Sequence, residues 1–432
     1  MIERIKSIIK TLDVNHWKII ESSTKSKELF FIKKELDMNR SKKVHYYTVT
    51  LYKDFEEDNE KYKGSANIRL ASTMDDAEMK SILEKAAFAA TFVKNKYYPM
   101  AQPTNASQPE LQSKFSAEDI MPYMVGFKDS IYKNDVEKNG GVNSAEIFIN
   151  KSKKRLVTSA GIDVSFDQYD GEIELITDWT EGKEAVELYN MIYFSDYCPD
   201  LIEEESKLQL QQSKDRALAV KSPDLKGINV ILSTDFVKDI MGFYMTHSSS
   251  RAVYEKITTA KIGELFQGEA VKGDKINIEL DPFMKNSSNS SPYDGDGVAL
   301  KKVQIFEDGI LKKYHGSVQY ASYLDIEPTG NISNMNVKAG STEYESLKKE
   351  PYVEILTFSD FQMDDMTGDF GGEIRLAKYF DGEKVIPITG ASLSANIFEV
   401  QKEFYLTKET TQKGSYIGPK ALMFKNGHIA GE

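Results

Sequence analysis

Cysteine, histidine and long apolar runs are all scarce in this 432-residue chain. A single cysteine, Cys198, rules out an internal disulfide and fits a reducing compartment, so the expected location is the cytoplasm. The five histidines are His16, His45, His247, His315 and His428. No two stand at the close spacing that puts two metal ligands on one helix face, so a zinc site is not legible, and each reads as a surface or partly buried polar group. No stretch approaches the roughly 18 apolar residues of a membrane span. Positive charge is in deficit, with 55 basic against 67 acidic residues and a net charge of −12. That balance opposes general binding to nucleic-acid backbone or to anionic membranes, both of which need a basic surface. There is no GxxxxGK[ST], no GxGxxG between a strand and a helix, and no GxSxG elbow, which removes the usual nucleotide and serine-hydrolase signatures.

Hydrophobic residues make up 40% of the chain, with 22 Phe and 23 Tyr, enough for folded cores. The opening MIERIKSIIKTL sets Ile2, Ile5, Ile8, Ile9 and Leu12 at helical spacing, which predicts a core-facing amphipathic helix and not a signal peptide. Strands are predicted over Lys27–Leu36, Val44–Phe55 and Ser65–Ala71, then a long helix over Asp75–Tyr98 with Thr73 as N-cap and a stripe of Ile82, Leu83, Ala86, Ala90 and Val93. Pro99–Ser113 reads as a loop and Ala117–Tyr132 as a helix. A β-meander is expected from Ala145 to Phe194, with the basic group Lys151, Lys153, Lys154 and Arg155 at a solvated turn within it. Leu201–Val220 is a Glu/Gln/Lys-rich helix, and Lys221–Gly227 marks a boundary between domains 1–220 and 221–432. Beyond it come a short buried strand, Ile228–Leu232, and a helix, Thr234–Thr246, opened by Ser233 or Thr234 with Asp235 in its first turn. From Lys275 onward short strands alternate with Gly, Asn and Asp turns. The fold class is α+β, an N-terminal mixed domain with antiparallel strands followed by a domain dominated by antiparallel sheet.

The residues alone show no catalytic constellation. Asp294-Gly-Asp296-Gly297 looks like half a calcium loop, but Val298 stands where a third ligand is needed, so it reads as a tight acidic turn. Asp360, Asp364, Asp365 and Asp369 could bind a hard cation or work as an acid–base pair, yet they also suit a helix-to-loop transition. His247-Ser248-Ser249-Ser250 sets a histidine beside serines, but geometry and not sequence adjacency makes a dyad.

The second half resembles the TldD/PmbA family, once named modulators of DNA gyrase. The resemblance is carried by blocks in the family's order. They begin with Ser250–Lys256 and Lys261–Leu265, then Ile278–Pro282 and Tyr293–Val298, then Phe306–Lys312 and Glu327–Asn331. Met366–Phe370, Asp381–Ile388 and Gly427–Gly431 complete the series. The first half is similar mainly in its helix–strand pattern and in KKRLVTSAGIDVSF.

The TldD kind of member is a metallopeptidase, with H-E-x-x-x-H on a central helix and a cysteine near the C-terminus as zinc ligands; the PmbA/TldE kind lacks the site and pairs with it. Here the matching positions are Thr234, Asp235 and Asp239, and no cysteine follows Ser415. The resemblance therefore implies no catalytic residue and no metal ligand in this chain, no cofactor of its own, and zinc on a TldD-type metallopeptidase partner. The implied substrate is a small unfolded peptide. Two other readings stand beside it: a stand-alone homodimeric peptide-binding protein without peptidase activity, and an enzyme using Asp235 or Asp364 and Asp365 without zinc.

Overall fold

The structure, a computed structural model, describes residues 1–104, 107–182 and 184–431. In the N-terminal half the elements are α1 (Ile2–Ile9), β1 (His16–Ile32), β2 (Glu35–Glu57), β3 (Glu60–Ala71), α2 (Asp76–Ala90), β4 (Asn95–Lys96), α3 (Met121–Tyr132), β5 (Gly140–Thr158), β6 (Asp163–Glu181), β7 (Glu184–Phe194) and α4 (Pro199–Leu218). The strands form one antiparallel sheet in the order β4-β3-β2-β1-β5-β6-β7. Side chains alternate across a strand, and the helices use one face only. Ile19, Val49 and Leu70 pack with Ile5, Met79 and Leu83 of α1 and α2. Leu29, Ile147 and Leu175 pack with Met124, Phe127 and Ile202 of α3 and α4.

The predicted first helix and the meander are present. Several boundaries differ, for identifiable reasons. The run Lys27–Leu36 spans the end of β1, a turn in which Lys33 takes a left-handed conformation, and the start of β2. The helix expected to reach Tyr98 ends at Ala90, and its cap is Asp75, which exchanges hydrogen bonds with Glu78 in a reciprocal box. Its end is set by β3, because Gly64 lets the strand backbone press against the Ala90 carbonyl. The third helix starts at Met121, four residues later than expected, with Pro122 in its first turn. Residues 105 and 106 of the predicted loop lie outside the described residues; the rest of Pro99–Ser113 holds no helix or strand. The basic group 151–155 is not at a turn. It lies within β5 between β1 and β6, where Arg155 forks onto Asp163 at 2.9 and 2.8 Å. The Glu/Gln/Lys-rich helix is α4, and its buried face is polar. Gln209 donates to the carbonyls of Leu175 and Leu188 at 3.1 and 2.9 Å, and Ser206 to that of Ile131 at 2.6 Å.

The second half opens with β8 (Val220–Lys221), β9 (Leu225–Ser233) and α5 (Thr234–His247). Strands Tyr352–Met363, β9, Ala421–Ala430, Ala391–Asn396 and Asp369–Phe380 follow one another in a sheet, and the first and last also pair with each other. The five therefore close into a small barrel, extended by Val385–Thr389 and β8. A second sheet contains Val303–Glu307, Ile278–Leu280, Met335–Val337 and Tyr416–Pro419. Helix α5 contributes Ile240, Met241 and Tyr244 to the core shared by barrel and sheet.

The halves meet where Ile20, Leu156 and Val164 pack with Val298 and Val318, and where Lys18 pairs with Asp296 at 2.6 Å. Asp294 is a tight turn, its carboxylate accepting from the amides of Asp296 and Val298 at 2.9 and 3.0 Å. The set Asp360, Asp364, Asp365 and Asp369 lies at a strand-to-strand hairpin and not at the end of a helix.

Gly64→Ala tests the contact that ends α2. A Cβ there would sit 1.8 Å from the Ala90 carbonyl oxygen, so strand and helix must separate. The expected loss is on the order of 3 kcal/mol in denaturant unfolding; a loss below about 0.5 kcal/mol would show that the helix end yields freely.

Candidate functional site

The three positions singled out on α5 are fixed by the strand before it. β9 is paired on both sides along Val230–Leu232, then ends at Ser233, which is extended and opens the helix without a side-chain cap bond. Asp235 falls in the first turn, where the helix dipole favours a carboxylate. The apolar face of Phe236, Val237, Ile240, Met241, Phe243, Tyr244 and His247 is buried, which leaves positions 234, 235 and 239 on the outer side.

Those three do not converge on a common point. The Thr234 hydroxyl donates to the Lys420 carbonyl at 2.8 Å. Asp235 accepts from the Lys413 ammonium at 2.6 Å. The same ammonium lies 3.7 Å from Glu205 of α4. Burial works to lower the Lys413 pKa, but the charges of Asp235 and Glu205 outweigh it and hold the pKa above the usual lysine value. Asp239 keeps an exposed face, while the protein around its carboxyl pushes its pKa up and the charge of Asp235 adds to this. It borders a separate recess of about 420 Å³ with Gly242, Thr246, Asp365 and Ser415. Among the described residues no three His, Cys, Asp or Glu side chains are placed to hold a metal ion.

Beside the helix start lies a cleft between α4 and the C-terminal half. A cavity of about 380 Å³ is lined by Glu205, Asp235, Lys413 and the facing pair Asp215 and Lys378, which are 3.3 Å apart. A larger one of about 890 Å³ adjoins it and shares Glu205, Thr234 and Tyr344. Sequence reasoning found Thr234 and Asp235 but missed Lys413 and Glu205. Lys413 sits in an ordinary polar hairpin and Glu205 in a helix read as surface, and neither carries a local signal.

The other candidates serve the fold. His247 is buried, with Nδ1 2.7 Å from the Thr258 hydroxyl and Nε2 2.8 Å from the Asp365 carbonyl. Both ring nitrogens are therefore engaged away from the adjacent serines, and burial lowers the pKa of the ring despite the Asp365 bond. His315 is buried too and bonds the Met245 carbonyl at 3.0 Å. These two are more enclosed than the expected partly buried polar groups, whereas His428 is exposed beside Asp224. Ser249 caps the short helix that follows. Asp364 is spent on its own turn, accepting from the amides of Met366 and Thr367, which hold it below the usual carboxylate range. Burial pushes the Cys198 thiol up to about 11, which makes it a poor nucleophile. Among the described residues no helix is long and apolar enough to cross a membrane.

Residues 226–431 match the family model described as the PmbA/TldA metallopeptidase C-terminal domain. The chain is 25% identical over 353 residues to an uncharacterized protein of Methanocaldococcus jannaschii, spanning 77% of this chain and 80% of that one. It is 21% identical over 208 residues to Metalloprotease PmbA of Escherichia coli, spanning 47% and 46% of the two chains. Its structure superposes on that of TldE from Thermococcus kodakarensis with a TM-score of 0.78 at 18% identity over 100% of both chains. A Thermotoga maritima protein carrying the modulator-of-DNA-gyrase name superposes with a TM-score of 0.76 at 16% identity over 99% of each chain. The C-terminal half therefore matches the PmbA/TldA metallopeptidase domain model, and the whole chain shares the α+β fold of the TldE structure.

Lys413→Met tests the ion pair at the helix start. It leaves Asp235 and Glu205 without their shared cation, and because Asp235 keeps 50% of its side-chain surface in water the expected loss is only about 1 kcal/mol. The folded pKa of Lys413 is raised. The contribution is therefore fully present below the unfolded lysine value of about 10.4 and fades as pH rises through the higher folded value. Denaturant unfolding of both proteins at pH 8 and at increasing alkaline pH measures this; a gap that does not close would place the effect in packing.

Proposed function

We propose that this chain is the metal-free, PmbA/TldE-type subunit of a TldD/TldE-type metallopeptidase assembly that processes small unfolded peptides. One observation carries the reading. The acid on the motif helix, Asp235, is bonded to a lysine ammonium, while Thr234 is bonded to a backbone carbonyl. Zinc hydrolysis needs three ligands and a carboxylate free to take a proton from a metal-bound water. In this chain the carboxylate is already neutralised by Lys413, and a hydroxyl and a second carboxylate stand at the two histidine positions. The likeness in fold to TldE over the whole chain supports the same assignment.

The role that follows is structural and substrate-facing. The partner supplies zinc and the bond-breaking step, and this subunit contributes walls to a chamber that admits extended peptides. The cleft between α4 and the C-terminal half, with its paired charges and its position over α5, suits polypeptide better than a small apolar ligand.

The test joins capture with chemistry. The tagged chain, expressed in its source cell, is expected to bring down a protein of similar length bearing H-E-x-x-x-H. The purified chain alone is expected to hold zinc far below one equivalent and to leave an unstructured peptide intact, and the captured complex to cleave it. Cleavage by the chain alone, abolished by a chelator, would overturn the assignment.

A further inference from the structure

One face of the N-terminal sheet lies under α1–α4. The C-terminal half covers the opposite face around Ile20, Leu156 and Val164, continues over Phe166 and Gln168, and touches Tyr193 through Gly414. Farther along, toward the turn at Lys33, this second face is left open, and its side chains follow strand register. Phe30 of β1, Glu146 of β5 and Glu174 of β6 stand directly opposite one another. Two residues along the strands, Phe148 of β5, Glu172 of β6 and Tyr193 of β7 do the same. Carboxylates and rings thus alternate across the surface. Phe30 and Phe148 meet edge to face at 5.5 Å, and Tyr193 is 46% exposed.

This arrangement is unfavourable for the isolated sheet. Like charges directly opposite in an antiparallel pair destabilise it, and Glu146 and Glu174 are so placed. Glu146 and Glu172 are both pushed above the usual carboxylate range, first by burial and then by the charge of Glu174. The cations at the adjoining edge relieve this only in part: Arg40 and Lys42 both bond the buried Glu28, and Arg40, which also lies 5.4 Å from the Phe30 ring centre, lowers the Glu146 pKa by less than burial and Glu174 raise it. A positive group arriving from outside would be stabilised twice, by the carboxylates and by the faces of the rings between them.

We propose that this open sheet face binds extended peptide segments rich in lysine and arginine, laid across β5, β6 and β7. The inference rests on the chain being a peptide-handling subunit, and it adds the charge of the peptide that such a subunit holds.

The experiment uses the full chain without any partner, so its outcome is independent of whether a TldD-type protein is captured. Fluorescein-labelled octapeptides of alternating Lys-Ala, Ser-Ala and Glu-Ala are titrated and followed by fluorescence anisotropy. The Lys-Ala peptide is expected to bind and the other two not, with affinity falling as salt rises from about 50 to about 500 mM. The triple variant Glu146→Gln, Glu172→Gln, Glu174→Gln is expected to lose at least about ten-fold in affinity, and Tyr193→Ala about three-fold at either salt concentration. The triple variant should unfold at the same temperature as the parent or higher, since a repulsion has been removed, which separates loss of the site from loss of the fold. Equal binding of the three peptides, or an unchanged affinity in a folded triple variant, would overturn the proposal.

Discussion

Strand Tyr352–Met363 is hydrogen-bonded on both of its sides, and that double pairing governs the C-terminal half. Along Tyr352–Ile355 it runs parallel to β9, and along its length it runs antiparallel to Asp369–Phe380. Closing a sheet on itself removes its free edges and fixes the tilt and register of every member. β9 is locked between two neighbours until Leu232. The chain then leaves the barrel at Ser233 and enters α5 at once. The positions of residues 234, 235 and 239 follow chiefly from barrel closure, with the Thr234 and Asp235 side-chain contacts adding to it. A family can therefore keep the scaffold while the chemistry on this helix changes, because the side chains that define the chemistry are not the ones that hold the helix in place.

What they carry here is a fixed internal cation. An ammonium is a compact single charge on a flexible stem, with three donors and no vacant coordination position. Lys413 can satisfy Asp235 but cannot lower the pKa of a bound water or polarise a carbonyl as a divalent ion does. It also reaches toward Glu205 on α4, so one side chain links the motif helix to the N-terminal half. A second lysine, Lys378, makes a similar link to Asp215 on the same helix. The cleft beside α5 is spanned by ion pairs between the two halves, and its width depends on them.

Much of the fold is legible from periodicity, and the exceptions share a cause. The apolar spacing of Ile2, Ile5 and Ile9 marks α1, and the strand alternation marks the meander, because both patterns record burial on a single face. The end of α2 is different. Nothing in the run beyond Ala90 forbids a helix; the stop comes from β3 pressing against it at Gly64, a contact between segments. The basic stretch Lys151–Arg155 looks like a turn by composition, yet it lies mid-strand because acids such as Asp163 stand across from it. Helix α4 looks exposed because, apart from Ile202, its buried face is built from Ser206, Gln209 and Ser213, which satisfy backbone and side-chain groups. Lys413 is the extreme case. Its meaning depends on two acids, at 205 and 235, that are distant in sequence, and only the fold brings them within reach.

The hairpin that carries Lys413 connects the two surfaces described above. At its turn Gly414 lies against Tyr193, with room for a Cβ only 3.7 Å from the Tyr193 Cβ. Tyr193 closes one row of the open sheet face, and Lys413, the residue before Gly414, holds Asp235 at the start of α5. The hairpin thus runs from the acidic and aromatic face to the cleft between α4 and the barrel. The charges change character along that path. On the sheet face the carboxylates of Glu146, Glu172 and Glu174 repel one another, whereas in the cleft Glu205, Asp215 and Asp235 are met by lysines of the chain itself. The smaller cavity beside Asp235 is lined by four carboxylates and four lysines, whereas the larger one adjoining it carries six carboxylates against three lysines.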